Sequence, residues 1–162
     1  MKILNKKLTK GLTVLEILTV IIIIGVLSAI AISNYINSSK KRALESAIMS
    51  NIRTFQVILE TYRVDWSAYP DNLSELSQEA NKKNYNKSAR NPLTNLSGYV
   101  ATNSPWVTEY ADPEDSSFNK SLYVGKVAYQ KVNDKKYYLL AYGEDGLPIQ
   151  RNGKVYIISN GE

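Results

Sequence analysis

The 162-residue chain contains no cysteine and no histidine. Without cysteine there is no disulfide, no thiolate metal site and no thiol nucleophile. Without histidine the commonest general base and the commonest zinc ligand are gone. Serine–histidine hydrolase triads and HExxH sites are therefore excluded, and any catalysis would rest on carboxylates, lysine, tyrosine or serine alone. No GxxxxGK[ST] or GxGxxG phosphate cradle occurs. Net positive charge is scarce outside one short stretch. The net charge is +5, but Lys2, Lys6, Lys7 and Lys10 supply most of it, and the remainder of the chain is close to neutral. A near-neutral body exerts little pull on a phosphate backbone, so there is no strong nucleic-acid signal.

What is present is a long apolar run. Between Leu12 and Ile32, Glu16 alone carries a charge. A helix of that length reaches about 31 Å, which matches the ~30 Å hydrocarbon thickness of a bilayer. The lysines before the run favour a cytoplasmic N-terminus, and Lys40, Lys41 and Arg42 after it oppose that bias. Three readings fit. The run is a plain membrane anchor. Or it is a secretory signal cleaved at Ala29-Ile30-Ala31. Or the chain is cut after Gly11, where the polar leader meets the apolar run. The third reading gives Glu16 a task. A carboxylate costs about 2.5–3.5 kcal/mol at the centre of a membrane helix on insertion scales, and export alone gains nothing from it. After a cut at Gly11, Leu12 carries a new α-ammonium one helical turn from Glu16. Inside a packed bundle of such helices the two charges tolerate each other as a pair and fix axial register.

These residues resemble a known signal. Lys10-Gly11-Leu12-Thr13-Val14-Leu15-Glu16, followed by ILTVIIIIGVLSAIAI, is similar to the class III signal of type IV pilins and pseudopilins. The resemblance implies cleavage between Gly11 and Leu12 by a prepilin peptidase, N-methylation of Leu12, and Glu16 as the assembly carboxylate. It also implies an α+β, type IV pilin-like fold and a subunit that catalyses nothing. Before assembly such a subunit is a single-pass protein of the cytoplasmic membrane, and afterwards part of an extracellular filament. Its partners would be copies of itself, the peptidase, and an assembly platform with its ATPase. Two positions depart from the family pattern: Leu12 stands where Phe is usual, and Ser33 where many members carry Pro.

Beyond the run, Leu44, Ile48, Ile52, Phe55, Leu59, Tyr62 and Trp66 recur at steps of three and four, the period of one helical face. One helix is expected from about residue 12 to 66, apolar all round in its first half (12–33) and amphipathic in its second (34–66). Tyr69-Pro70 stops it. YPDNLSEL, with Asp71 or Asn72 as cap, predicts a short second helix and resembles a YPxxLxxL element of pilins and G-type pseudopilins. Residues 78–91 are polar and read as a surface loop, and Asn91-Pro92-Leu93-Thr94-Asn95 resembles a DPxGNxY-like turn with Asn91 in place of Asp. Residues 67–121 form a region between helix and sheet. From 122 to 162 the runs LYVGKVAYQKV, KKYYLLAY, LPIQR and KVYIIS predict an antiparallel sheet of three to four strands, with Asn152-Gly153 as a hairpin signal.

One loop is a candidate cation site. Asp112, Glu114, Asp115 and Asn119 place oxygen donors at short spacing, as calcium requires, although solvated loop carboxylates give the same pattern. No other cofactor is expected. The leading functional expectation is a type IV pilus subunit, with a pseudopilin of a type II secretion or competence system as the alternative. The rival from another class is an exported or anchored binding domain in which Glu16 is incidental.

Overall fold

The structure, a computed structural model, describes residues 12–160 apart from Asn86. The chain divides into two compact units, Met1–Lys41 and Arg42–Glu162. Helix α1, Val14–Trp66, runs through both.

In the first unit α1 is apolar on every face from residue 17 to 32, and residues 12–33 are all exposed. It is long and apolar enough to cross a membrane. With no water to satisfy backbone groups, a helix is the form such a segment takes in lipid. Ser33 donates its hydroxyl to Ala29 O at 3.1 Å and the helix continues through it.

In the second unit the predicted stripe becomes core. Ile48, Ile52, Phe55, Leu59 and Tyr62 are buried, joined by Ile58. The stripe fades at both ends: Leu44 is half-buried and Trp66 is exposed. Trp66 stacks on Tyr62 beneath the ammonium of Lys83. The helix ends where Ser67 turns left-handed at φ 58° and its N–H bonds Arg63 O. Pro70 follows and cannot continue a helix.

Helix α2 spans Leu73–Lys82, with Asn72 as its N-cap accepting from Glu75 N–H at 2.9 Å. It therefore runs through Gln78–Lys82, which sequence assigned to a loop. Leu73, Leu76 and Ala80 supply the buried face that holds those polar residues in helix.

Among the described residues eight short strands follow: β1 Ala89–Arg90, β2 Ser97–Gly98, β3 Val107–Glu109, β4 Val127–Asn133, β5 Lys136–Ala141, β6 Gln150–Arg151, β7 Lys154–Val155 and β8 Ile157–Ser159. The central sheet has the order β3-β4-β5-β8. Its α+β layout, the long helix on a four-stranded sheet, is the one expected. One detail corrects the all-antiparallel expectation: β3 pairs parallel to β4 and comes from the region assigned to connections. A run of three residues is too short to show alternation in sequence. The strand expected from Leu122 starts only at Val127, because Lys120–Leu122 form a 3₁₀ turn. Asn152 and Gly153, at φ 54° and 74°, close the separate β6–β7 hairpin as the sequence predicts.

The helix-facing side of the sheet contributes Val127, Tyr129, Tyr137, Leu139 and Ala141 to the core. Ala128, Leu140 and Tyr142 form a second cluster with Tyr110, Phe118, Tyr123 and Tyr138. Strand alternation sends neighbouring side chains to opposite faces and so separates the two clusters.

Glu109, at the end of β3, accepts a hydrogen bond from Leu73 N–H, the first amide of α2. Burial pushes its carboxyl above the ordinary 4.5, and that hydrogen bond pulls the other way. A raised native pKa means the folded state binds the proton more readily than the unfolded chain. The charge therefore costs stability above the native pKa, and this cost disappears as pH falls to the ordinary value and below. Glu109→Gln keeps an acceptor for Leu73 N–H without the charge. The variant is expected to melt at or above the wild-type temperature at pH 7. Its advantage should shrink as pH falls toward 4.5 and be gone below it, as thermal scans by circular dichroism would show.

Candidate functional site

The residues singled out at the apolar run sit at the start of α1. Gly11 lies outside the described residues, while Leu12 is described and exposed. Thr13 precedes the first helical residue, Val14, and stands as the N-cap. Its backbone N–H and its hydroxyl both donate to Glu16 Oε2, at 2.8 and 2.9 Å. Glu16 N–H returns a bond to Thr13 Oγ1 at 3.2 Å. This is a capping box, in which an N-cap hydroxyl and a carboxylate three residues on satisfy each other's backbone amides. The expectation for Glu16 was a carboxylate near a positive terminus. The reciprocal role of Thr13 adds to that expectation, and T-x-x-E before an apolar run is its sequence signal.

The box gives Glu16 a defined place. Oε2 is taken by Thr13, whereas Oε1 has no hydrogen-bond partner among the described residues. An ionised carboxylate has about four acceptor positions. The Thr13–Glu16 unit thus holds a single anionic group at one end of an exposed apolar helix, with acceptor capacity to spare.

The loop named for calcium is organised by its own backbone. Asp112 Oδ1 accepts from Glu114 N–H at 3.0 Å, and Asn119 Oδ1 from Ser121 N–H at 3.2 Å. Asp115 Oδ1 accepts from both the amide and the hydroxyl of Ser117, at 2.9 and 3.0 Å. Those two donors hold the Asp115 carboxyl below its ordinary range. Among the described residues no three acidic side chains gather into a group that could hold a metal ion.

A third cluster centres on Asn91, whose turn is legible in sequence but whose distant partners are not. Asn91 is fully buried. Its amide donates to Pro105 O and Val124 O, both at 2.8 Å, and its Oδ1 accepts from Leu93 N–H and Thr94 N–H at 2.9 and 3.2 Å. All four side-chain valences are used. Asn91 is structural: it ties three connections together and offers nothing to a ligand.

The chain is 30% identical over 103 residues to the type II secretion system core protein G of Pectobacterium carotovorum subsp. carotovorum, covering 62% of this chain and 64% of that protein. The protein of the same name from Dickeya chrysanthemi is 28% identical over 141 residues, or 86% of this chain and 80% of the relative. That from Klebsiella pneumoniae is 29% identical over 103 residues, 62% and 71% of the two. The first match thus spans less than two thirds of its relative's length. No family model and no solved structure matches the chain.

Proposed function

We propose that this chain is a pseudopilin-like subunit of a type II secretion system. It is cleaved between Gly11 and Leu12, methylated at Leu12, and built into a short filament through its apolar helix. The observation that carries the reading is the name shared by the relatives, type II secretion system core protein G, and it favours the alternative over the pilus subunit that leads on sequence alone. The apolar helix bearing one capped carboxylate supports it, being suited to a membrane before assembly and to sister helices afterwards. The partners are then further copies of the chain, a prepilin peptidase, and an assembly platform with its ATPase. We assign the subunit no catalytic step.

Glu16 fixes register in this reading by receiving the Leu12 ammonium of a neighbouring subunit. Removing one member of a buried charge pair costs about 3–5 kcal/mol, because the other is left unpaired. Glu16→Ala is therefore expected to be processed normally yet to enter filaments at least about tenfold less than wild type. The test is the N-terminus and intact mass of the protein in membranes and in sheared filament material. Methylated Leu12 at the terminus, with Glu16→Ala confined to membranes, supports the reading. A chain beginning at Ile32 or Met1 would leave an exported or anchored domain instead. Loss of protein secretion on deleting the gene, without loss of long surface filaments, separates a pseudopilin from a pilin.

A further inference from the structure

We propose that Tyr35, Lys40 and Lys41 form a girdle that takes the headgroups of anionic phospholipids, on the side of the membrane opposite the leader. This rests on the reading above only in that the apolar run crosses a bilayer before assembly. The three residues lie on α1 within the first unit. All are exposed, Tyr35 at 74%. Neither lysine forms an ion pair or a hydrogen bond among the described residues. Lys40 is also the first cationic side chain after Lys10. Once the leader is cut off after Gly11, these two lysines are the first cations of the mature chain.

Helix geometry sets their depth. The run from Leu12 to Ile32 fills the hydrocarbon, and about 5–8 Å of headgroup region follows on each side. At 1.5 Å per residue, Tyr35 stands about 5 Å beyond Ile32 and Lys40 about 12 Å beyond it. Helical side chains lean toward the N-terminus, which here means back toward the bilayer. A lysine stem can follow that direction while its ammonium stays in water. Tyr35 then sits among the headgroups, where amphipathic rings gather, and both ammonium groups reach back to the phosphates. Helix geometry also sets their direction. Each residue advances about 100° around the axis, so with Tyr35 at zero Lys40 falls at about 140° and Lys41 at about 240°. The three divide the circumference into near thirds. A protein partner docks on one side of a helix, whereas headgroups surround it, and a girdle fits the second. Each lysine beside an anionic lipid surface strengthens binding about fivefold, and a neutral headgroup gives no such gain.

The chain has no cysteine, so a bimane on Asn37→Cys is a single reporter within the girdle. The full chain with that reporter is placed in phosphatidylcholine vesicles. These contain phosphatidylglycerol spin-labelled near its headgroup or, at the same fraction, phosphatidylcholine labelled likewise. Contact quenching reads only the leaflet that holds the bimane, so the leader lysines do not contribute. The phosphatidylglycerol label is expected to quench at about one fifth of the other's concentration or less. That advantage should vanish in Lys40→Gln/Lys41→Gln and survive in Lys40→Arg/Lys41→Arg. Equal quenching by the two lipids, or a preference that the glutamine pair retains, overturns the proposal. Equal quenching together with reduced filament entry of the glutamine pair would assign the lysines to carboxylates of a neighbouring subunit instead. No quenching by either lipid places Asn37 away from the bilayer, which overturns the membrane reading, and the proposal falls with it.

Discussion

Asn91→Ala is expected to lower the stability of the C-terminal unit by about 3–4 kcal/mol, the range for breaking a buried hydrogen-bond network. The side chain is wholly buried and makes four hydrogen bonds to backbone groups of three connections. Alanine strands two carbonyls and weakens the turn that begins at Pro92. Near-UV circular dichroism of the full chain in micelles, followed through denaturant, measures the loss. Asn91→Asp sharpens the test. It has almost the same shape and still accepts from Leu93 and Thr94, but its second oxygen faces Pro105 O and Val124 O, where the amide donates. Two acceptors against an ionised carboxylate should make it at least as destabilising as alanine at neutral pH. Protonation supplies one donor, so folding raises that carboxyl's pKa, and part of the stability should return as pH falls through it. Gly125 gives an independent check. It sits at φ +68°, and a Cβ there would come within 2.4 Å of Asn91 Oδ1. Gly125→Ala should therefore disturb the same hub from the other side. Wild-type stability in Asn91→Ala would show that the hub contributes nothing.

The hub also marks the boundary of what the sequence discloses. The core stripe of α1 was legible because a 3.6-residue period lies within one segment, and the β6–β7 hairpin because Asn152-Gly153 signals its own turn. Asn91 bonds groups 14 and 33 residues away, and no local pattern encodes such partners. The same reason hid β3: three residues gain strand character only from Val127–Tyr129, with which they pair in parallel. The tail of α2 was lost for a related cause. Gln78–Lys82 is polar apart from Ala80, and what holds it helical is the packing of Leu73, Leu76 and Ala80 on the core. At the candidate site the position was reversed. Glu16 stood out as a charge in an apolar run, and Thr13 was equally readable through its spacing. The cleavage position at Gly11 rests on sequence alone, since it lies outside the described residues.

Phe55→Ala carries the second large effect. Phe55 is wholly buried where α1 meets the sheet, with its ring edge-on to both Trp106 and Tyr129, each at 5.9 Å between centroids. Truncation removes the ring's buried surface, leaves a cavity and breaks two aromatic contacts; such changes cost about 3–5 kcal/mol. Phe55→Leu keeps most of the volume and should cost roughly half as much, since only the shape and the ring contacts are lost. Guanidinium unfolding in micelles, read by Trp106 fluorescence in a Trp66→Phe background, gives both values. Equal losses for alanine and leucine would mean that the ring geometry, and not the cavity, dominates. The cost falls on the second unit alone. At the capped end of α1 the three bonds of the capping box lie between Thr13 and Glu16 alone. If the chain is processed after Gly11 as proposed, that cleavage should proceed in Phe55→Ala as in wild type, while the product is degraded faster because its unfolded fraction has risen. Cleavage seen in wild type and lost in Phe55→Ala would mean instead that the proposed processing requires a folded C-terminal unit.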